Sequence, residues 1–285
     1  MSRGKSFTVT TDEGTLAGWV SGDGAPVLLL HGGPGLSYGY MDELADEIGA
    51  GFQLATYQQR GIEPSSVSGP FTVARAIGDA IAVLDHLGWE RASVVGHSWG
   101  GHLALRLAAA HPARAVAALA VDPLGLVGDG GLTAMGAEMM ARMPPAARAR
   151  RIELDERQAR GEERPGDAVE ALRLAWPSYF ADPFRVAPFP DLSLCTEAAG
   201  GLIADVLGGE GEVRGDEVAA VLGAAGVRCA FLAGAASPMP WGSSSRASAD
   251  LISGASVTVV PGGGHLPWFE SPGCVRAALV ALTHD

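Results

Sequence analysis

The ten residues ASVVGHSWGG (92–101) carry the pattern that decides the fold of this chain. Gly96, Ser98 and Gly100 fit the motif G-x-S-x-G, with an apolar run before it and a helical pattern after it. A serine in a sharp turn from strand to helix has a strained backbone, and glycines two residues away on either side relieve the crowding. The turn lifts the Ser98 hydroxyl over a helix N-terminus, where free N–H groups favour negative charge. We therefore predict Ser98 as a nucleophile; the alternative is a glycine-rich turn with an incidental serine.

On both sides of this motif, short apolar runs alternate with helical patterns, which predicts a mainly parallel sheet with crossover helices. A hairpin is predicted at the start of the chain, around residues 12–14. The runs predicted as buried strands are 26–30, 52–57, 92–96, 115–121, 228–234 and 256–261. The predicted fold class is α/β, with a central, mostly parallel sheet flanked by helices.

The alternation stops at residues 124–212, which are rich in Arg, Pro, Glu and Gly. Helical patterns occur there near 132–142, 146–160, 167–180 and 197–207, and no buried-strand run interrupts them. We predict a helical cap, or lid, at 124–212, inserted into an α/β core formed by residues 1–123 and 213–285.

The segment HGGPG (31–35) directly follows the first buried run. A tetrahedral oxyanion needs two preplaced N–H donors, one after the nucleophile and one from the loop after the third strand. Trp99 and Gly33 are the predicted donors of this oxyanion hole. The alternative is a plain glycine-rich turn.

His265 is the predicted general base among seven histidines. It follows the last predicted strand in PGGGHLP (261–267), at the carboxyl edge of the sheet, where ligands bind in open α/β folds. The other histidines fall in predicted helices, in the tail, in the glycine loop or, for His97, in the turn of the nucleophile. We expect the His97 side chain to point away from the substrate. A structural role for His265 is the alternative.

Together these motifs resemble the α/β-hydrolase superfamily over almost the whole chain. HGGPG with GHSWGG (96–101) is similar to the proline iminopeptidase-like branch, whose members remove N-terminal proline from peptides. The resemblance implies a Ser–His–Asp triad beneath a helical lid. It also implies an acid after the penultimate strand, in a G-x-x-D-x-x-x-P context.

The position of that acid holds Ser237 in this chain. Asp122, at the end of the run 115–121, would lie one strand earlier at the same sheet edge. Some hydrolases of this fold resemble that arrangement, and we predict Asp122 as the third catalytic residue. The alternative is that Asp122 only begins a turn before Pro123.

A second departure lies at YQQRGIEPS (57–65), where the branch commonly has Asp-Gln-Arg-Gly-x-Gly-x-Ser. Gln58 replaces the aspartate, Glu63 replaces the second glycine, and Arg60 is expected to pack beside the nucleophile loop. An aminopeptidase also needs a carboxylate for the substrate ammonium. Glu197 is the candidate, with a solvated helix face as the alternative.

Composition and charge restrict the classes of partner. A formal net charge of -12 argues against nucleic acid and against an anionic membrane face. No run approaches the roughly 20 apolar residues of a membrane span, and the first residues have no apolar signal-peptide region. Three cysteines at unrelated spacings fit a reducing compartment. We therefore predict a cytoplasmic protein with no metal and no other cofactor, acting on a small molecule or short peptide, with its oligomeric state open.

The predicted function is hydrolysis of a small amide or ester through an acyl-enzyme, with an N-terminal proline-type aminopeptidase as one form. An esterase or lactonase acting on small apolar esters is the first alternative. A non-catalytic ligand-binding protein on a hydrolase scaffold is the second, and only Ser237 favours it. An epoxide hydrolase or a dehalogenase would carry Asp at the position of Ser98.

Overall fold

The computed structural model describes residues 4–208 and 214–284, so the predicted cap boundary at 212/213 lies outside the described residues. Within these ranges, eight strands form one sheet in the order β1-β2-β4-β3-β5-β6-β7-β8. The strands are β1 (Lys5–Thr11), β2 (Gly14–Ser21), β3 (Ala25–Leu30), β4 (Phe52–Tyr57), β5 (Ala92–His97), β6 (Ala115–Val121), β7 (Arg228–Gly234) and β8 (Ser256–Val260). β1, β2 and β4 pair antiparallel, and β3 to β8 pair in parallel, as predicted.

The continuous apolar strands are buried because helices cover both faces of the sheet. In β3, Leu28 packs with residues of α2 (Val73–His86) and α3 (Trp99–Ala110). Its neighbour Val27 packs on the opposite face, with residues of α1 (Met41–Ile48) and α11 (Cys274–His284). This alternation of faces is the two-residue period of a strand.

The described part of the segment between β6 and β7 is largely helical, as its helical patterns predict. Its elements are α4 (Leu132–Arg142), α5 (Pro145–Ala159), α6 (Asp167–Ala175), a 3-10 turn (Trp176–Tyr179) and α7 (Thr196–Val206), and α8 (Gly215–Ala225) follows. The helix predicted over 167–180 is therefore shorter. It tightens into the 3-10 turn at Pro177, which has no N–H for a helical hydrogen bond.

Short helical elements lie near the end of the chain. A π-helical turn (Gly242–Arg246) is followed by α9 (Ala247–Ala249). Ser244, Ser245 and Ser248 are buried, and the Ser248 hydroxyl donates to the Ser244 carbonyl, four residues earlier, at 2.6 Å. The structure also adds α10 (Pro267–Glu270), directly after the loop of His265.

Arg60 lies between the first hairpin and α2, and its hydrogen bonds do not involve the nucleophile loop where we expected it. Its guanidinium donates to both carboxylate oxygens of Asp79, at 2.6 and 3.0 Å, and to the Glu13 carbonyl at 2.6 Å. Burial raises the pKa of Asp79, and the bonds from Arg60 oppose that effect. The pair therefore ties the loop after β4 to α2 and to the hairpin.

No helix in 4–208 or 214–284 is both long and apolar enough to span a bilayer.

We expect Asp79→Ala to lower the free energy of unfolding by about 3–5 kcal/mol, because it leaves the buried Arg60 charge without its carboxylate. Urea unfolding monitored by circular dichroism measures this. Glu156→Ala is the matched control, since it breaks the exposed Arg160–Glu156 pair and should cost under about 1 kcal/mol. Equal losses in the two variants would contradict the structural role of Asp79.

Candidate active site

The turn between β5 and α3 places Ser98 in a conformation that non-glycine residues rarely adopt. Its φ is 55° and its ψ is -119°. A Cβ at Gly96 would lie 1.9 Å from the Gly100 carbonyl oxygen, and a Cβ at Gly100 would lie 2.0 Å from that of Leu30. Both positions therefore need glycine, as the motif predicts, and the serine hydroxyl stands at the carboxyl edge of the sheet.

Ser98, His265 and Asp122 form one hydrogen-bonded chain. The Nε2 atom of His265 lies 3.1 Å from the Ser98 Oγ, and its Nδ1 atom lies 2.5 Å from Oδ2 of Asp122. An ionised carboxylate only accepts hydrogen bonds, so Nδ1 carries the proton and Nε2 is left to accept from serine. The structure thus brings together three residues that lie far apart in the sequence.

Asp122 directly follows β6, with its carboxylate directed inward. It is 1% exposed, and its φ is 43°. Oδ1 accepts from the Gly234 N–H at 2.9 Å, and Oδ2 accepts from the Ser237 hydroxyl at 2.5 Å as well as from His265. Ser237, at the position where the family resemblance implies the acid, is therefore a hydrogen-bond partner of Asp122.

The main chain of His265 is held from two sides. Its N–H donates to the Tyr179 carbonyl at 2.6 Å, and its carbonyl accepts from Nε2 of His97 at 2.9 Å. The Tyr179 ring also stacks on the imidazole, with 5.1 Å between ring centroids. The helical segment after β6 therefore contacts the predicted base directly.

The prediction that His97 points away from the substrate is wrong. His97 is part of the wall of the cavity above Ser98, and its ring lies between Tyr40 and the loop of His265. Its Nδ1 accepts from the Tyr40 hydroxyl at 2.9 Å, and the hydroxyl oxygen accepts from the Gly32 N–H at 2.5 Å. Burial, and then the nearby His265, hold the pKa of His97 well below its usual range. Sequence analysis missed Tyr40 as well, since it belongs to no motif.

One predicted oxyanion donor directly follows Ser98 in the chain, and the other lines the same cavity. Gly33, with a φ of 54°, lines the same cavity as Ser98. Trp99 is the first residue of α3, so its N–H has no acceptor within the helix. Its indole is buried and donates to the Gln59 side chain at 3.0 Å.

Two buried polar side chains, His31 and Gln58, hold the glycine loop and the residues after it by hydrogen bonds. His31 donates through Nδ1 to the Gly32 carbonyl and accepts the Gln59 N–H at Nε2, and burial lowers its pKa to about 4. Gln58 accepts from the Tyr38 N–H and donates to the Leu36 carbonyl, each at 3.0 Å. The aspartate that is common in the branch could not make the second of these bonds.

A cavity of about 230 Å³ opens above Ser98. It is lined by Gly33, Pro34, Leu36, Tyr40, His97, Ser98, Leu132, Met135, Gly136, Met139, Leu172, Trp176, Tyr179, Leu192, His265 and Leu266. Of the described residues that line it, none is Asp, Glu, Lys or Arg. The cavity is therefore largely apolar, and half of its wall comes from the segment between β6 and β7.

The structure does not bring Glu197 to this site. Glu197 is exposed in the first turn of α7 and is not part of the cavity wall, whereas Ala198 beside it is fully buried. Successive helix residues point about 100° apart, so the face of α7 that packs inward excludes Glu197. Nor do the described residues contain a group of three or more His, Cys, Asp or Glu arranged to hold a metal ion.

Comparison with known proteins gives relatives over parts of the chain. Epoxide hydrolase B of Mycobacterium tuberculosis is 35% identical over 102 residues, which cover 35% of this chain and 29% of that protein. Proline iminopeptidase of Lactobacillus delbrueckii subsp. lactis is 37% identical over 91 residues, which cover 29% of this chain and 30% of that protein. The chain thus matches less than a third of the length of either relative.

Two comparisons cover nearly the whole chain. The crystal structure of a proline iminopeptidase from Mycobacterium smegmatis superposes with a TM-score of 0.68, at 23% identity and over 98% of both chains, which shows the same fold. The model of the alpha/beta hydrolase family matches residues 27–278, from β3 to α11. With the nucleophile turn, the sheet order and this match in agreement, the chain belongs to the alpha/beta hydrolase family.

Proposed function

We propose that this protein is a serine hydrolase that cleaves a small, uncharged, apolar ester or amide through an acyl-enzyme. The observation that carries the proposal is the hydrogen-bonded chain from Ser98 through His265 to Asp122, which ends at the floor of an apolar cavity. The chain is also similar to an epoxide hydrolase. An epoxide hydrolase would carry a nucleophilic carboxylate at the position where this chain has the Ser98 hydroxyl.

In the first half-reaction, Nε2 of His265 takes the proton of Ser98 as its oxygen attacks the substrate carbonyl carbon. The N–H groups of Gly33 and Trp99 donate to the oxyanion, and Asp122 stabilises the imidazolium. His265 then gives the proton to the leaving alcohol or amine, which leaves an acyl ester on Ser98. In the second half-reaction, His265 takes a proton from water as the water oxygen attacks the acyl carbon. The imidazolium then gives that proton to the Ser98 oxygen as the acyl–oxygen bond breaks, which releases the acid and restores the serine.

The cavity wall favours an uncharged substrate. A free N-terminal ammonium bound there would lose its hydration without a carboxylate to replace it, since no acidic side chain is among the described lining residues. We therefore propose an apolar ester or lactone as the substrate class, with the segment 124–208 acting as the cap that forms the acyl-binding wall. The likeness to proline iminopeptidases favours an aminopeptidase as the second candidate.

We expect Ser98→Ala to lower turnover of the best substrate by at least about 10⁴-fold, because it removes the nucleophile. The panel is p-nitrophenyl acetate, butyrate and octanoate, an aliphatic lactone and L-proline p-nitroanilide. A fluorophosphonate probe, followed by intact mass, should label the wild type once and Ser98→Ala not at all. Ser243→Ala is the matched control, since its hydroxyl lies on an exposed turn.

Turnover of the proline anilide alone would instead support the aminopeptidase. Turnover that is indifferent to Ser98 would contradict the mechanism. Tight ligand binding without turnover or labelling would support the non-catalytic alternative.

We expect Asp122→Asn to lower kcat/KM by about 10⁴-fold while the protein stays folded. Oδ1 is held by the Gly234 N–H, so the amide nitrogen would face His265. Nδ1 would then have to accept, and the ring proton would move to Nε2, where it blocks proton transfer from Ser98. The check is the rate on the best ester beside a melting curve, with exposed Asp250→Asn as control. A loss under tenfold would show that Asp122 is not the acid.

We expect Gly136→Leu to reduce kcat/KM for the octanoate ester relative to the acetate by roughly tenfold or more. The leucine would occupy space that a long acyl chain needs, and one methylene in an apolar pocket is worth about 1–3 kcal/mol. Gly136 lies in α4, lines the cavity and has open space around a Cβ. Gly200→Leu in α7 is the matched control, since Gly200 has equal space but does not line the cavity. An unchanged preference for chain length in Gly136→Leu would mean that the acyl group binds elsewhere.

A further inference from the structure

Ser237 is held where its hydroxyl meets the acid of the proposed triad. Its Oγ lies 2.5 Å from Oδ2 of Asp122, the same oxygen that lies 2.5 Å from Nδ1 of His265. Both distances fall in the range of charge-assisted hydrogen bonds or just below it. One carboxylate oxygen therefore serves two donors.

The direction of the serine bond follows from its second partner. The Met239 N–H donates to the Ser237 Oγ at 3.0 Å, and this fixes the hydroxyl oxygen as an acceptor on that side. A carboxylate only accepts, so the single hydroxyl proton of Ser237 goes to Asp122.

The loop of Ser237 is tied to its surroundings by its backbone. The N–H of Ala235 donates to the Val260 carbonyl and that of Ala236 to the Gly263 carbonyl, each at 2.9 Å. The Ala236 carbonyl accepts from Arg142 of α4 at 2.7 Å. These bonds set the hydroxyl in place independently of Asp122.

We propose that Ser237 is a positioning residue that shares Oδ2 of Asp122 with His265, fixing the carboxylate rotamer and withdrawing part of the charge that the imidazole meets. The inference rests on the proposed serine mechanism. Ser237 thus places a hydroxyl where the family resemblance implies an acid. This hydroxyl weakens the charge of Asp122, the acid one strand away.

Sharing one oxygen has a definite consequence for proton affinity. A hydrogen bond donated to a carboxylate spreads its charge and weakens its attraction for a neighbouring imidazolium. Without the Ser237 hydroxyl, the full charge of Oδ2 acts on His265, which then keeps its proton to higher pH. Neutral His265 is the form that accepts the serine proton, so the acidic limb of the activity profile moves up in pH.

Other titratable and charged groups around this pair are unchanged by a substitution at Ser237. The rings of His97 and Tyr179 pack on His265, at 4.8 and 5.1 Å between centroids. Glu270 accepts from the Gly264 N–H, and Arg142 reaches the Ala236 carbonyl. The Tyr40 hydroxyl reaches the site through His97. None of these side chains bonds to Ser237 in the part of the chain that the structure describes.

The experiment is the pH dependence of kcat/KM for the best ester in Ser237→Ala, Ser237→Cys and Ser237→Thr. We expect the acidic midpoint of Ser237→Ala to rise by roughly 0.5–1 pH unit. Ser237→Thr keeps the hydroxyl and should keep the wild-type midpoint, and Ser237→Cys, a weaker donor, should fall between. Ser243→Ala is the control, since its hydroxyl bonds only within its own turn.

A second readout needs no substrate. The Nδ1 proton of His265 is expected to give a far-downfield proton NMR signal, which should move and titrate at higher pH in Ser237→Ala. If Ser237→Ala fails to fold, the wild type, Ser237→Thr and Ser237→Cys are compared by the acidic midpoint and by the NMR signal, and this comparison still tests the role of the hydroxyl. A midpoint and NMR signal unchanged between Ser and Ala, or between Ser and Cys where Ala does not fold, would overturn the inference.

Two different results would exclude the serine mechanism and the role of Ser237. Activity that survives Ser98→Ala removes the serine mechanism, and with it the inference. Activity that Ser98→Ala abolishes, together with a pH profile that Ser237 does not move, removes the inference alone.

Discussion

The tight packing around Ser98 is the constraint on which the rest of the site depends. A side chain at Gly96 or Gly100 would collide with backbone, and a Cβ at Gly32 would lie 2.8 Å from the His97 carbonyl. The backbones of three segments are therefore in close contact: the turn at Ser98, the end of β3 and the glycine loop. Because of this contact, the serine hydroxyl and the predicted oxyanion donors share one side of the sheet edge, within reach of His265.

Much of this arrangement could be predicted from the sequence, because it depends on short-range patterns. Strands buried on both faces are continuous apolar runs, and the strained turn demands its two glycines. The resemblance to hydrolases of this fold implies an acid at this sheet edge, and sheet geometry makes Asp122 a candidate: the carboxyl ends of parallel strands meet at one edge, so an acid one strand away remains near His265. The contact of Asp122 with Ser237 spans 115 positions and follows no periodic pattern.

The failures have equally physical causes. The charge of Glu197 suits a substrate ammonium, but the rotation of α7 about its axis decides where the side chain points, and Ala198 takes the inward position. The place of His97 in the motif predicts a side chain that points away from the substrate. Its ring instead lies between two loops, beside that of His265. Its two hydrogen-bond partners come from loops far apart in the chain, so no local pattern marks it.

The bond from the His265 N–H to the Tyr179 carbonyl has a consequence for protein engineering and for evolution. Glu270 reinforces it, because its carboxylate bridges the N–H groups of Gly264 and Ala181. The turn at 176–182 is therefore fixed to the loop of His265, although it lies in the segment between β6 and β7. A chimera that exchanges this whole segment would remove the hydrogen bonds that hold the loop of His265. We therefore expect sequence changes to be better tolerated in α4 to α6 and in α7 than in the turn at 176–182.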